Sequence, residues 1–262
     1  MDAAPQRVVS LNLCADQLVL RLLPKARIAS VTWLAREEGS STVADLAQGI
    51  PTNQGLAEEA LGTDPDFVVS GMYTTRGAVD FLKRQGRPVL DLGVPESFAE
   101  TRAQIAQLAG VLGVSEAGQT LISEMGAQLA AHPPPPLSER PKAMMLGPNG
   151  FATSYGPLVD EMMERAGLIN LAGELGGRGR ASIPLEVAIL GGVDILVVDT
   201  GERSGPALAL EVLDHPAVRA LKREVEVVAL PSKLWTCAGP QLADAVAILA
   251  SAAARHNAKA RP

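Results

Sequence analysis

The sequence predicts an α/β protein made of two α/β halves around a helical middle. Short apolar runs alternate with helical patterns in residues 1–96 and again in residues 137–262, while residues 97–136 carry two consecutive helical patterns. Strands that alternate with helices pair in parallel, and such sheets bind ligands at the carboxyl ends of their strands. These three ranges are therefore the predicted N-terminal α/β lobe, helical segment and C-terminal α/β lobe.

The first half contains four apolar runs and three helical patterns. The apolar runs predict strands at 8–11, 28–31, 66–70 and 88–92. The helical patterns predict helices at 16–23, 58–61 and 76–85. Pro24 ends the first helix and Gly86 ends the last, because neither residue type continues a helix readily.

Two helices are predicted in the middle of the chain. Ser97 and Glu100 form a capping-box pattern, in which each side chain satisfies a free backbone N–H of the other residue, and Gly113 ends that helix. The second helix spans residues 115–131 and stops before the polyproline run 133–136, since proline cannot continue a helix. A polyproline run is stiff and extended, so we interpret it as a junction between domains.

The second half repeats the order of the first in outline. Its apolar runs predict strands at 142–146, 194–198 and 225–230. Its helical patterns predict helices at 158–166, 185–190 and 242–254. Each half is therefore expected to form its own parallel sheet.

The composition fits an ordinary globular protein and argues against several functions. Of the 262 residues, 47% are hydrophobic and 20% are charged, so a substantial core can be buried. The net charge of −6 argues against binding to a phosphate backbone, which needs clustered Lys and Arg. No apolar run reaches the roughly 18 residues of a membrane span. The N-terminus shows no signal peptide, so we expect either a cytosolic chain or one whose leader was replaced by Met1.

Candidate ligand-binding residues follow the predicted strands in both halves. In the first half they are Asn12, Cys14, Trp33, Arg36, Met72, Tyr73 and Arg76. In the second half they are Phe151, Ser154, Arg178, Arg180, Trp235 and Thr236. Three of the four Trp and Tyr residues belong to this set, and such rings stack against large planar ligands. The alternative is that each ring simply covers the end of a strand.

A glycine- and arginine-rich loop occupies residues 176–180. Its two guanidinium groups could close over an anionic ligand and bind carboxylate or catecholate oxygens. The alternative is a solvated surface loop. The glycines do not form a nucleotide-binding fingerprint, because no predicted strand ends just before them and no helix begins on them.

Each half places one glutamate at the start of a short helix that precedes a buried strand. Glu58 precedes the strand at 66–70, and Glu186 precedes the strand at 194–198. An acidic residue in the first turn of a helix stabilises the helix dipole, and that role alone would explain either glutamate.

The two cysteines, Cys14 and Cys237, fall in loops that follow strands, one in each half. We expect two small, partly buried thiols. The alternatives are a contact with the ligand or a disulfide, which requires Cα atoms within about 7 Å of each other.

Binding of a metal ion and catalysis lack the residues that they require. The three histidines, His132, His215 and His256, lie outside the strand-end loops of the first half, which argues against a histidine-based site for zinc or manganese. No histidine is placed to activate Cys14 or Cys237 as a nucleophile, and the sequence contains neither a Gly-x-Ser-x-Gly nor a Walker-type motif. We therefore expect a protein that is not an enzyme and has no cofactor.

Several segments, taken in order, resemble the periplasmic solute-binding proteins of ABC importers, in the helical-spine class that carries cobalamin and ferric siderophores. The segments are residues 7–12, 58–69 with its Asp64-Pro65-Asp66 turn, 161–170, 184–186 and 235–240. The resemblance covers nearly the whole chain through the order and spacing of these segments rather than through one motif.

This resemblance implies two Rossmann-like lobes with parallel sheets, joined by a single long spine helix, with the ligand cleft between the lobes. The spine would be the helix at 115–131, which would span roughly 24 Å at about 1.5 Å per residue. Glu58 and Glu186 match the two glutamates with which the lobes of family members dock onto the permease. The resemblance also implies a periplasmic monomer whose signal peptide has been removed.

The resemblance leaves a ferric siderophore and cobalamin as the leading ligands, with a transition-metal ion as a third candidate. The cluster formed by Arg36, Arg76, Arg178 and Arg180 favours an anionic iron chelate over the neutral, amide-rimmed corrinoid. We therefore predict that the chain delivers an iron–siderophore complex to the permease of an ABC importer.

Overall fold

The computed structural model describes residues 4–72, 74–146, 152–153, 156–176, 182–183, 191–199 and 225–260. The chain divides into two compact units. Unit 1 comprises Met1–Glu124 and Cys237–Pro240, and unit 2 comprises Met125–Thr236 and Gln241–Pro262. The predicted helical segment 97–136 is thus shared between the two units.

Parallel strands form the sheet of unit 1. They are β1 (Val8–Ser10), β2 (Ile28–Thr32), β3 (Thr52–Asn53), β4 (Phe67–Gly71) and β5 (Val89–Leu92). Their order is β3-β2-β1-β4-β5, with every neighbouring pair parallel. β1 and β4 are buried along their whole length, as expected for strands covered on both faces. The predicted strands of the first half are confirmed, and β3 is a further short strand at the edge of the sheet.

The helices that begin in unit 1 match the predicted ones within a few residues. They are α1 (Leu13–Leu22), α2 (Ala57–Gly62), α3 (Arg76–Arg84), α4 (Phe98–Val111) and α5 (Ser115–Ala130). α1 begins before its predicted start at Asp16, because Oδ1 of Asn12 accepts the backbone N–H of Ala15 at 2.9 Å and caps the helix. The boundary between the two units falls inside α5.

The predicted capping box of α4 is present in a modified form. Oγ of Ser97 accepts the backbone N–H of Glu100 at 3.1 Å, as expected of an N-cap. The carboxylate of Glu100 accepts the N–H of Glu96 at 2.8 Å, one residue earlier than the reciprocal bond that the pattern predicts. At the other end, Gly113 adopts a positive φ of 70°, which suits glycine and ends the helix as predicted.

The apolar core of unit 1 lies on both faces of its sheet, because successive strand residues point to opposite faces. Val8, Phe67 and Val69 pack on the face that α1 and α4 cover. Val9 and Val68 pack on the face that α2 and α3 cover. Burial on both faces leaves the carboxyl edge of the sheet, where the loops begin, as the place where a ligand can approach.

The sheet of unit 2 has a parallel part and an antiparallel part. Its described strands are β6 (Lys142–Leu146), β7 (Ala152–Thr153), β8 (Ile169–Asn170), β9 (Ser182–Ile183), β10 (Ile195–Asp199) and β11 (Glu226–Leu230). Their order is β11-β10-β6-β7-β9, with β8 beside β6. β7, where the sequence predicted no strand, pairs antiparallel with β6 and with β9, whereas the three predicted strands β6, β10 and β11 pair in parallel as expected. The link from β6 to β7 is too short for the crossover that a parallel pair requires.

The described helices of unit 2 are α6 (Pro157–Arg165), α7 (Leu171–Gly176) and α8 (Leu242–Ala260). α8 extends beyond its predicted end at Ala254, where Arg255 and Lys259 both bind the carboxylate of Glu226, at 3.0 and 3.2 Å. The helix predicted at 185–190 lies outside the described residues. Within the described ranges, no helix is long and apolar enough to cross a membrane.

Candidate ligand-binding site

Exposed apolar side chains follow four of the strands at the carboxyl edge of the unit 1 sheet. Trp33 follows β2 and is 43% exposed, Leu56 follows β3 and is 50% exposed, Met72 follows β4 and is 54% exposed, and Val94 follows β5 and is 46% exposed. We call these four residues the apolar rim. Neighbouring strands lie about 4.8 Å apart, so the rim extends along an edge of about 19 Å.

The sequence identified half of the apolar rim. Trp33 and Met72 stood out because a tryptophan and a methionine directly follow predicted strands. Leu56 and Val94 were missed, because an isolated aliphatic residue in a polar loop gives no signal by itself. The position of both residues, within three residues of a strand end, is the signal that could have revealed them.

Asn12, another candidate, shapes the middle of the edge through contacts within the protein. Its Oδ1 caps α1, and its Nδ2 donates a hydrogen bond to Oγ1 of Thr74 at 3.0 Å. A Cβ atom at Gly71 would lie 2.6 Å from this Nδ2, so only glycine leaves room for the amide there. The side chain of Asn12 therefore ties the start of α1 to the loop after β4.

Cys14 and Cys237 form a disulfide bond, with their Cα atoms 5.1 Å apart. The expectation of two thiols was therefore wrong. The two cysteines are 223 positions apart in the sequence, yet both belong to unit 1. The bond attaches Cys237–Pro240 to the first turn of α1, beside Asn12 at the carboxyl edge.

The two candidate arginines of unit 1 bind acceptors within the protein. Arg36 donates to the backbone carbonyls of Ala47 and Ile50 and so braces the loop between β2 and β3. Arg76 forms an ion pair with Asp91 of β5, and Oγ of the buried Ser70 donates to the same carboxylate at 3.0 Å. The positive charge of Arg76 is thus compensated locally, which weakens the case that this edge attracts an anion.

The carboxyl group of Asp16 is the one strongly perturbed acid in the described part of unit 1. Asp16 lies in the first turn of α1 and is fully buried. Its Oδ1 accepts the backbone N–H of Thr32 at 3.1 Å, and Oγ1 of Thr32 donates to its Oδ2. Burial raises the pKa of Asp16 to about 7, although hydrogen bonds from Ser10 and Thr32 oppose the shift. Asp16 was missed as a functional residue at the level of sequence, because one acidic residue near a helix start is common.

The candidates of unit 2 are described only in part. Trp235 is half-buried and follows the short 3₁₀ turn Ser232–Leu234, while Thr236 is exposed and donates to the carbonyl of Ser232 at 2.8 Å. The other candidates lie outside the described residues: Tyr73 of unit 1, and Phe151, Ser154, Arg178, Arg180 and Glu186 of unit 2.

The predicted docking glutamate of unit 1 is available to a partner. Glu58 is exposed in the first turn of α2, and within the described part of the chain it forms no ion pair. Its neighbour Glu59 instead accepts the backbone N–H of Gln54 at 2.6 Å. The described residues contain no cluster of three or more His, Cys, Asp or Glu side chains that could hold a metal ion.

The fold is similar to several solved structures. A periplasmic heme-binding protein from Roseiflexus sp. RS-1 aligns with a TM-score of 0.76 and 22% identity, over 96% of this chain and 99% of that protein. A possible iron-binding periplasmic protein from Staphylococcus epidermidis gives a TM-score of 0.74 and 16% identity, over 95% and 98% of the two chains. The periplasmic vitamin B12 binding protein of Vibrio cholerae gives 0.67 and 14%, over 97% and 98%.

At these identities the solved structures establish a shared fold and nothing finer. No curated protein matches the sequence significantly. A model of the family described as periplasmic binding protein matches residues 8–234, from β1 through the turn before Trp235. This chain therefore belongs to the periplasmic binding protein family.

Proposed function

We propose that this chain binds an iron chelate and delivers it to the permease of an ABC importer, with heme as the first candidate and a ferric siderophore as the second. The apolar rim carries this proposal. Four exposed apolar side chains along one sheet edge offer a ligand apolar and aromatic contact, and burying them on binding releases water from their surface.

The length of the rim favours an extended organic ligand over a bare metal ion. A metal ion with its direct ligands measures about 4 Å across, since metal–ligand bonds are about 2 Å long. The rim extends along about 19 Å, given the spacing of the strands. The described residues also offer no cluster of metal-binding side chains.

Heme is the first candidate because the rim of this edge is apolar and the arginines of the edge already bind acceptors within the protein. Arg36 binds two backbone carbonyls and Arg76 binds Asp91, so both guanidinium groups already have acceptors within the protein. The similar Roseiflexus protein is a heme-binding protein, which supports the same choice. Cobalamin, which the similar Vibrio cholerae protein binds, is a third candidate.

The ferric siderophore stays a candidate because of Arg178 and Arg180. The sequence places these two guanidinium groups in one loop, where they could bind carboxylate or catecholate oxygens. Replacing both by alanine is expected to weaken an anionic siderophore at least tenfold, because charge-assisted hydrogen bonds contribute about 1.5–3 kcal/mol each. Unchanged affinity would remove the support for a siderophore.

The proposal is tested by titrating the protein with hemin, a ferric catecholate complex, cyanocobalamin and free ferric iron while recording tryptophan emission. Hemin is expected to quench the emission and bind most tightly. The double variant Leu56→Ser with Val94→Ser is expected to weaken hemin binding by about thirtyfold, since each of the two side chains would lose burial worth about 1 kcal/mol. Leu137→Ser, which removes an exposed leucine of unit 2, is the matched control. If neither hemin nor the ferric catecholate complex binds, or if Leu56 and Val94 prove irrelevant to both of them, the proposal is wrong.

A further inference from the structure

Asp16 makes hydrogen bonds to the residue that immediately precedes the tryptophan of the apolar rim. Its carboxyl group accepts both the backbone N–H and the hydroxyl of Thr32, the last residue of β2. Trp33 is the next residue and begins the 3₁₀ turn Trp33–Arg36. The buried acid of α1 is therefore connected to the exposed ring through a single residue.

The turn that carries Trp33 lacks the local cap that its sequence could provide. Thr32 occupies the N-cap position, where a threonine hydroxyl commonly accepts an N–H of the following turn. In this protein the hydroxyl accepts no N–H of the turn and donates to Asp16. The direction in which the chain leaves β2, and with it the position of Trp33, thus depends on Asp16.

The immediate surroundings of Asp16 are neutral. Its hydrogen-bond partners are Ser10 of β1 and Thr32 of β2. Arg21, the next cation along α1, donates to Thr42, and Arg36, which follows β2, donates to the loop carbonyls. Cys14, one turn away on α1, is held in the disulfide and does not titrate. The neutral carboxyl group is therefore the form that this environment accommodates.

We propose that Asp16 is a positioning residue for ligand binding, which holds Thr32 in place and so fixes the Trp33 ring for contact with the ligand. This inference rests on the proposed function, because Trp33 is a member of the apolar rim. Ionisation of Asp16 puts an unpaired charge in a buried site, and the segment that it holds must loosen to hydrate it. Ligand affinity is therefore expected to fall as the pH rises through 7.

The experiment uses Trp235→Phe as its background, so that Trp33 is the one remaining tryptophan. Two quantities are measured between pH 6 and 8: acrylamide quenching of the free protein, which reports how tightly Trp33 is held, and the dissociation constant for hemin. Asp16→Ala is expected to increase quenching and to raise the dissociation constant at least threefold. Asp16→Asn keeps an acceptor for the N–H of Thr32 and is expected to retain affinity while losing the pH dependence.

Two further variants keep the test decisive. Thr32→Val removes the hydroxyl and keeps the side-chain shape, so it replaces Asp16→Ala if that variant does not fold. Thr42→Val removes a hydroxyl that also binds α1, through Gln17 and Arg21, and is expected to leave Trp33 unchanged. If folded Asp16→Ala and Thr32→Val proteins show unchanged quenching and affinity, the positioning role is refuted. If Trp33→Ser has no effect on binding, Trp33 does not contact the ligand and its place in the apolar rim is wrong. The quenching of Trp33 in the free protein still decides the role of Asp16.

Discussion

At the scale of single residues, Asp16 makes the stability of the protein depend on pH in a direction opposite to that of a carboxylate in a salt bridge. Its pKa is about 7 in the folded protein and near the ordinary value of 3.8 in the unfolded chain. Between these values the folded protein holds a proton that the unfolded chain has released, so the free energy of unfolding decreases as the pH rises. The contribution of Asp16 to the free energy of unfolding is fully present below about pH 4. It decreases as the pH rises to about 7, and above that pH it changes no further.

Denaturant unfolding at several pH values measures this effect. The free energy of unfolding is expected to fall by on the order of 1 kcal/mol per pH unit between pH 5 and 7. Asp16→Asn, which cannot ionise, should flatten this part of the profile and leave the other titrating groups unchanged. A slope that survives the substitution would mean that another group causes it.

The sequence pointed to candidate site residues where the residue type is rare and the position follows from the local pattern. Trp33 and Met72 were identified because each directly follows a strand, and strands can be located from hydrophobic runs. The disulfide between Cys14 and Cys237 was only an alternative to free thiols, because the sequence does not show that residues 223 positions apart come together. The contact of Asp16 with Thr32 was not predicted, because Thr32 is one of many hydroxyl residues. Such contacts depend on the packed fold rather than on the local pattern.

At the scale of elements, α4 and α5 approach each other closely at Gly118. A Cβ atom on this residue would lie 2.4 Å from Cβ of Ala109, which is part of a buried helix face and cannot move aside alone. Gly118→Ala is therefore expected to destabilise unit 1 by about 1–3 kcal/mol, the usual cost of overpacking. Gly126→Ala is the matched control in the same helix, because a Cβ there meets nothing within 4 Å. It should stabilise by up to about 1 kcal/mol through helix propensity. Equal effects of the two substitutions in thermal unfolding would contradict the close packing.

Element types were predicted more successfully than element ends and very short strands. The start of α1 depends on the cap that Asn12 provides, and the last turns of α8 carry the two cations that bind Glu226. Hydrophobic periodicity shows neither the cap nor the ion pairs. The antiparallel strand β7 was missed because two residues give too short a pattern to recognise. Periodicity reports burial along one segment, whereas ends and pairing depend on contacts with other segments.

At the scale of the whole molecule, the disulfide between Cys14 and Cys237 closes a loop of most of the chain. Closing so long a loop restricts the unfolded chain, and removing such a native bond typically costs about 2–5 kcal/mol. The variant with Cys14→Ser and Cys237→Ser is expected to unfold at a lower denaturant concentration, with a free energy of unfolding that is smaller by this amount. Reductant should lower the free energy of unfolding of the natural protein in the same way. Reductant added to the double variant is the control. If reductant destabilises the double variant as much as the natural protein, its effect is not due to this bond.

Docking onto a permease is expected to depend on charge at Glu58 and Glu186. We propose that these glutamates bind basic sockets on the permease. The carboxylate of Glu58 supports this, because it is exposed and forms no ion pair with any residue that the structure describes. Changing both to lysine should abolish uptake by cells that rely on this chain, because like charges repel, and should leave affinity for the chelate unchanged. The matched control changes Glu124 and Glu164, two exposed glutamates, to lysine and alters the net charge equally. If uptake fails in both double variants, the change in overall charge is the cause and docking at these two residues is not. If the variant of Glu58 and Glu186 loses chelate binding, these residues belong to the ligand site instead.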